Sequence, residues 1–85
     1  MVFINGYDYQ ISNKKGKKLM TVVNGKTINF GSIYHQHFFD KTGLLPKSLN
    51  HLDEKRRQSY LKRSKGIGNT EDPTSANFHA RNILW

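Results

Sequence analysis

An Asn-Gly pair, Asn24-Gly25, separates two β-prone runs, Lys18-Leu19-Met20-Thr21-Val22-Val23 and Lys26-Thr27-Ile28-Asn29-Phe30-Gly31. A two-residue type I′ loop needs positive φ at both central positions, and Asn and Gly tolerate that conformation best. The pair therefore predicts an antiparallel hairpin, with Ile28 and Phe30 on one face of its second strand. Upstream, Tyr7, Tyr9 and Ile11 alternate with polar residues, the period of a half-buried strand. Asn13 to Lys18, lysines around Gly16, reads as a solvated turn. The expected sheet is thus a three-stranded antiparallel one over Tyr7–Ser12, Lys18–Val23 and Lys26–Phe30. A hairpin alone is barely stable in water, so its apolar face must be covered.

The second half of the chain supplies the cover. Ser48 to Lys65 reads as a helix: Ser48 or Asn50 can cap it, and Asp53 and Glu54 suit its positive end. Lys62, Arg63 and Lys65 suit its other end, and Gly66 stops it. Asp72-Pro73 reads as an N-cap followed by proline at the first helical position, opening a short C-terminal helix. Ala76, Ala80, Ile83 and Leu84 fall on one side of that helix. Ser32 to Gly43 carries Ile33, Tyr34, Phe38 and Phe39 without a period that decides its structure, and Gly43 and Pro46 bound a loop at Leu44-Leu45. The expected fold is α+β: a single small basic domain over 1–85, its sheet packed by a basic helix and a short C-terminal helix. Phe78, Ile83, Leu84 and Trp85 are expected to close the core against Ile28 and Phe30.

A chain of 85 residues builds one domain, and with 35% hydrophobic residues its core is small. The absence of cysteine excludes disulfides and thiolate zinc sites, and it favours the cytosol, the nucleus or a virus particle over secretion. Met1-Val2-Phe3-Ile4 is too short for a signal-peptide core or a membrane span, and no later run is longer, so no membrane association is expected.

No nucleophile elbow, phosphate-binding glycine loop or cysteine nucleophile is present in the sequence. Asp53-Glu54 and Glu71-Asp72 sit where helix starts need them, so capping is preferred to acid–base chemistry. His35-Gln36-His37 with Asp40 lacks the second pair of ligands a metal site requires, and His51 and His79 stand alone. The protein is read as non-enzymatic, with no metal and no cofactor.

Charge is the informative property. Fourteen Lys and Arg against six Asp and Glu give +8, which draws polyanions to the surface. One cluster is the turn with Lys14, Lys15, Lys17 and Lys18. The other is the helix with Lys55, Arg56, Arg57, Lys62, Arg63 and Lys65. At about 100° per residue, Leu49, Leu52 and Tyr60 form a stripe from which Arg56 and Arg63 also project. Either these arginines snorkel toward water or toward Glu71 or Asp72, or they clamp phosphates or acidic groups. Tyr7, Tyr9, Phe30 and Tyr34 offer rings for base stacking, although a chain so poor in aliphatics needs them for its core. The residues expected to contact nucleic acid are Lys14, Lys15, Lys17, Lys18, Arg56, Arg57, Lys62 and Arg63.

Several short motifs recur in a fixed order from Lys18 onward. They are Asn24-Gly25-Lys26-Thr27-Ile28, Phe30-Gly31, His51-x-Asp53-Glu54-x-x-Arg57 and Tyr60-Leu61-x-Arg63, then Asp72-Pro73-Thr74-Ser75-Ala76-x-Phe78-x-x-Arg81-x-Ile83-Leu84-Trp85. In this order they resemble an uncharacterised family of small basic proteins encoded by large DNA viruses and some phages. The resemblance implies a viral origin, with location in the virion or in the host cytoplasm or nucleus during infection, and it brings no catalytic residues. The leading expectation is a virion-associated protein that binds nucleic acid without sequence preference. The alternatives are a minor capsid or cement protein bridging acidic shell proteins, and an inhibitor of a host DNA-handling protein.

Overall fold

In the computed structural model, which describes residues 2–85, four strands form an antiparallel meander in the order β1-β2-β3-β4. They are β1 (Val2–Ile4), β2 (Tyr7–Ile11), β3 (Lys17–Val23) and β4 (Lys26–Ser32). The expected hairpin is present, with Val23 paired to Lys26 across Asn24 and Gly25 at φ 51° and 78°. The fourth strand corrects the expected three. Asn5 and Gly6, at φ 53° and 86°, make the same kind of turn, and Ile4 pairs with Tyr7 across it. Three residues, Val2–Ile4, are enough for an edge strand.

Two helices follow, α1 (Glu54–Ile67) and α2 (Ala76–Ile83), with a single 3-10 turn at Lys47–Leu49. The α1 start lies later than the expected Ser48. The cap is Asp53, whose carboxylate accepts from the backbone N–H groups of Lys55 and Arg56 at 3.0 and 3.3 Å. Leu49 and Leu52 therefore stand outside the helix, and Leu52 is exposed with φ at 55°. The cap of α2 is Ser75 rather than Asp72. Asp72 closes the turn before it, accepting from the backbone N–H and hydroxyl of Thr74 at 2.9 and 2.7 Å. Asp53→Ala leaves two first-turn donors of α1 without this acceptor, and is expected to destabilise the domain by about 1 kcal/mol in urea unfolding. An unchanged midpoint would contradict a stabilising cap there.

α2 lies across β4 and covers one face of the sheet. Tyr9, Leu19 and Phe30 from the strands bury against Ala80, Ile83 and Leu84. Of the residues expected to close this core, Ile83 and Leu84 do so, and Trp85 packs against it. Phe78 packs at its side, edge-on to Tyr7 at 6.0 Å, and Trp85 stacks on Tyr60 of α1 at 4.2 Å. A histidine crosses the core. His79 Nε2 lies 2.6 Å from the carbonyl oxygen of Pro73, which can only accept, so Nε2 carries the proton. Nδ1 then accepts from the Tyr9 hydroxyl at 2.8 Å. Burial lowers the His79 pKa and raises that of Tyr9 to about 12, which keeps both neutral. Tyr9→Phe strands Nδ1 in the core, and is expected to lower stability by about 1–3 kcal/mol in the same assay. No loss would contradict the bond.

The two helices are joined through polar groups. The Arg81 guanidinium donates to the Leu61 carbonyl and the Ser64 hydroxyl at 2.7 and 2.6 Å. The Asn77 amide donates to the carbonyls of Ser64 and Gly68 at 2.9 and 2.8 Å.

The connection from residue 33 to 52 is held by a second, polar core. Lys18 Nζ donates to the His35 carbonyl and, at 2.9 Å, to His37 Nδ1. His37 Nε2 donates to the Asn50 side-chain oxygen at 2.7 Å, and that oxygen also takes the Asp40 backbone N–H at 2.9 Å. The Asp40 carboxylate accepts from Thr42 and from the backbone N–H of Leu45. His37, Asp40 and Thr42 of this connection can be buried because their polar groups find partners within the fold.

Candidate nucleic-acid interface

Lys17, at the end of the basic turn, and the basic helix border the same hollow. A groove of about 570 Å³ runs along α1, lined by His35, Gln36, Asp53, Lys55, Arg56, Ser59, Tyr60, Arg63 and Trp85. A second hollow of about 230 Å³ continues from it toward β3 and β4, lined by Lys17, Lys18, Gly31, Ser32, Ala80 and Leu84. His35, Gln36, Tyr60, Arg63 and Trp85 line both, so the two form one channel. Helix geometry explains the α1 wall. Arg56 and Arg63 are seven residues apart, nearly two turns, and Tyr60 lies between them on the same side.

Few carboxylates compete for these cations. Among the described residues the one side-chain ion pair is Glu54–Arg57, at 3.0 Å. Asp53 is the acid that lines the groove, and its Oδ1 is engaged at the helix cap. Arg56 donates to the neutral Gln36 amide oxygen at 3.1 Å, and the Arg63 guanidinium lies 5.8 Å from the Tyr60 ring centre. Neither arginine pairs with Glu71 or Asp72, and both are exposed, so they snorkel toward water and keep hydrogen-bond donors free toward the groove.

The eight residues singled out in the sequence divide into distinct groups. Lys17, Arg56 and Arg63 line the channel. Lys14 and Lys15 are exposed on the turn before β3, and Lys62 is exposed on α1; none of these three lines it. Two expectations need correction. Lys18 is only 4% exposed, because its stem packs beside Gly31 and its amine is spent on His35 and His37. Burial lowers its pKa to about 8, and the nearby Asp40 charge opposes that shift. Lys18 thus holds the channel floor and makes no surface contact. Arg57 faces away from the channel. It donates to the Trp85 backbone oxygen at 2.8 Å, pairs with Glu54 and lies over the Phe38 ring.

Base stacking on the sheet is also ruled out for two of the proposed rings, since Tyr9 and Phe30 are each 1% exposed. Beyond those eight, Lys55, His35, Gln36 and Trp85 also line the channel. Lys55 was visible as part of the basic helix, one position before Arg56. His35 and Gln36 reach the channel only because the connection folds back through His37 and Asn50, and no local pattern announces that. His37 has both ring nitrogens bonded within the protein, and the described residues hold no group of three metal-ligating side chains. No helix among them is long and apolar enough to cross a membrane.

No family model, curated protein or solved structure matches the chain.

Proposed function

We propose that the protein is a non-catalytic, virion-associated protein that binds nucleic acid without sequence preference through the channel between α1 and the β3–β4 end of the sheet. One observation carries this reading: Lys17, at the start of β3, and Lys55, Arg56 and Arg63, from a helix far along the sequence, converge on a single groove. Convergent cations with free donors suit a phosphate backbone, whose contacts carry no sequence information. The likeness to small basic viral proteins supports the virion, or the host cytoplasm or nucleus during infection, as the place of action.

Titration against duplex DNA, single-stranded DNA and heparin across a salt series tests the reading. It expects binding to nucleic acid that persists at physiological salt and exceeds binding to heparin. Binding that vanishes at physiological salt equally for all three would overturn it.

A second reading, docking of acidic shell proteins, is favoured by a separate pocket of about 370 Å³. Phe39, Leu45, Leu52 and Lys47 line it, and Phe39 and Leu52 are exposed although apolar. An apolar hollow beside a lysine fits a protein segment better than a phosphate backbone.

A further inference from the structure

The channel is cationic at its rim and apolar at its floor. Lys17, Lys55, Arg56 and Arg63 are its exposed cations, while the half-buried rings of Tyr60 and Trp85, with Gly31 and the buried Ala80, Leu84 and Lys18 stem, make its floor. The rings are held in place. Trp85 is stacked on Tyr60 at 4.2 Å with an interplanar angle of 12°, and His51 lies 5.2 Å from its ring centre. Arg63 sits over Tyr60.

A duplex presents phosphates on a convex surface and keeps its base faces stacked inside. It can meet the rim cations of this channel, but its bases cannot reach the floor. A single strand can lay its backbone along the rim and turn unpaired bases inward. There they cover the apolar floor and approach the fixed ring edges and the outer side of the Arg63 guanidinium. The floor gives stabilisation only in the second case, because only unpaired bases bring apolar surface to it.

We infer that the channel selects single-stranded over double-stranded nucleic acid, taking phosphates at Lys17, Lys55, Arg56 and Arg63 and unpaired bases over the Tyr60–Trp85 floor. This rests on the nucleic-acid reading above. Selection comes from the floor and therefore tolerates any base, since every base has an apolar face.

The chain contains a single tryptophan, so the floor reports on itself. Fluorescein-labelled oligo(dT), oligo(U) and a mixed-sequence DNA duplex of equal length are titrated with the intact protein at physiological salt, with binding followed by anisotropy. Trp85 emission is read in parallel with unlabelled strands. The expected result is binding about tenfold tighter to the single strands than to the duplex, the gain of roughly one stacked base. Saturation by oligo(dT) or oligo(U) is expected to quench Trp85 emission, and saturation by duplex to leave it nearly unchanged. Equal anisotropy affinities for strand and duplex, or equal quenching by both, overturn single-strand selection while leaving nucleic-acid binding intact. No anisotropy change with any of the three overturns the underlying reading as well.

Discussion

Gly31→Ala is expected to destabilise the domain by about 2–4 kcal/mol, a large share of what a small domain has. Gly31 is in β4 with φ at 77°, a conformation that an L side chain adopts at a cost of about 1–2 kcal/mol. An added Cβ would also lie 2.9 Å from Leu84 Cδ1 and 3.2 Å from Lys18 Cβ. Leu84 is fully packed and the Lys18 stem is pinned by its amine, so neither gives way easily, and overpacking of this kind adds about 1–3 kcal/mol. Gly25→Ala is the control. It has nearly the same φ, 78°, but nothing within 4 Å of the added atom, so strain alone acts. Urea unfolding of the two variants separates the contributions. Equal losses would contradict the close seating of the chain after α2 on β4.

Acid is expected to destabilise the fold beginning near pH 6.5, well above the range in which carboxylates titrate. Burial lowers the pKa of both His37 and His79 from 6.5, and the Lys18 charge lowers that of His37 further. Below 6.5 the unfolded chain takes up protons at these positions and the folded chain does not. Their contribution is therefore complete above 6.5 and is lost as pH falls through the lowered folded values. Protonated His37 would also face the Lys18 ammonium across a 2.9 Å contact. Lys18 acts in the same sense at higher pH. Its folded pKa of about 8 lies below the ordinary lysine value of 10.5, so its contribution rises as pH climbs from 8 to 10.5. Thermal unfolding between pH 5 and 9 is expected to give a midpoint that rises with pH, and His37→Gln to flatten the acid limb. A midpoint flat between pH 5 and 7 would contradict the neutral buried histidines.

How far the sequence foretold this fold depended on the range of the interactions. Asn24-Gly25 is a local signal with a local cause, and the hairpin followed from it. Asn5-Gly6 carries the same signal, yet β1 was missed because three residues before the turn look too few to form a strand; pairing with β2 supplies what length does not. The start of α1 offered several capping residues within six positions. Asp53 prevails because the chain is still held upstream: the N–H groups of His51 and Leu52 bond back to the carbonyls of His37 and Phe38. Lys18 looked like one more charge in a basic turn. Only the side-chain-free Gly31 beside it and the folded-back His37 explain its burial, and both are long-range facts. The candidate site was half legible for the same reason. Arg56 and Arg63 share a helix face by spacing alone, whereas Lys17 joins them only through tertiary structure.

The central claim is that nucleic acid occupies the channel rather than the basic surface at large. Two fourfold variants with the same change in charge test it: Lys17, Lys55, Arg56 and Arg63 to glutamine, and Lys26, Lys47, Lys62 and Lys65 to glutamine. The second set is exposed and lies outside the channel. The measurement is the slope of log affinity for oligo(dT) against log salt concentration, with folding checked by thermal unfolding. Loss of about three units of slope in the first set, at roughly 0.7 per phosphate released, and little change in the second is the predicted result. Equal loss in both sets would contradict the account and return the binding to net charge alone.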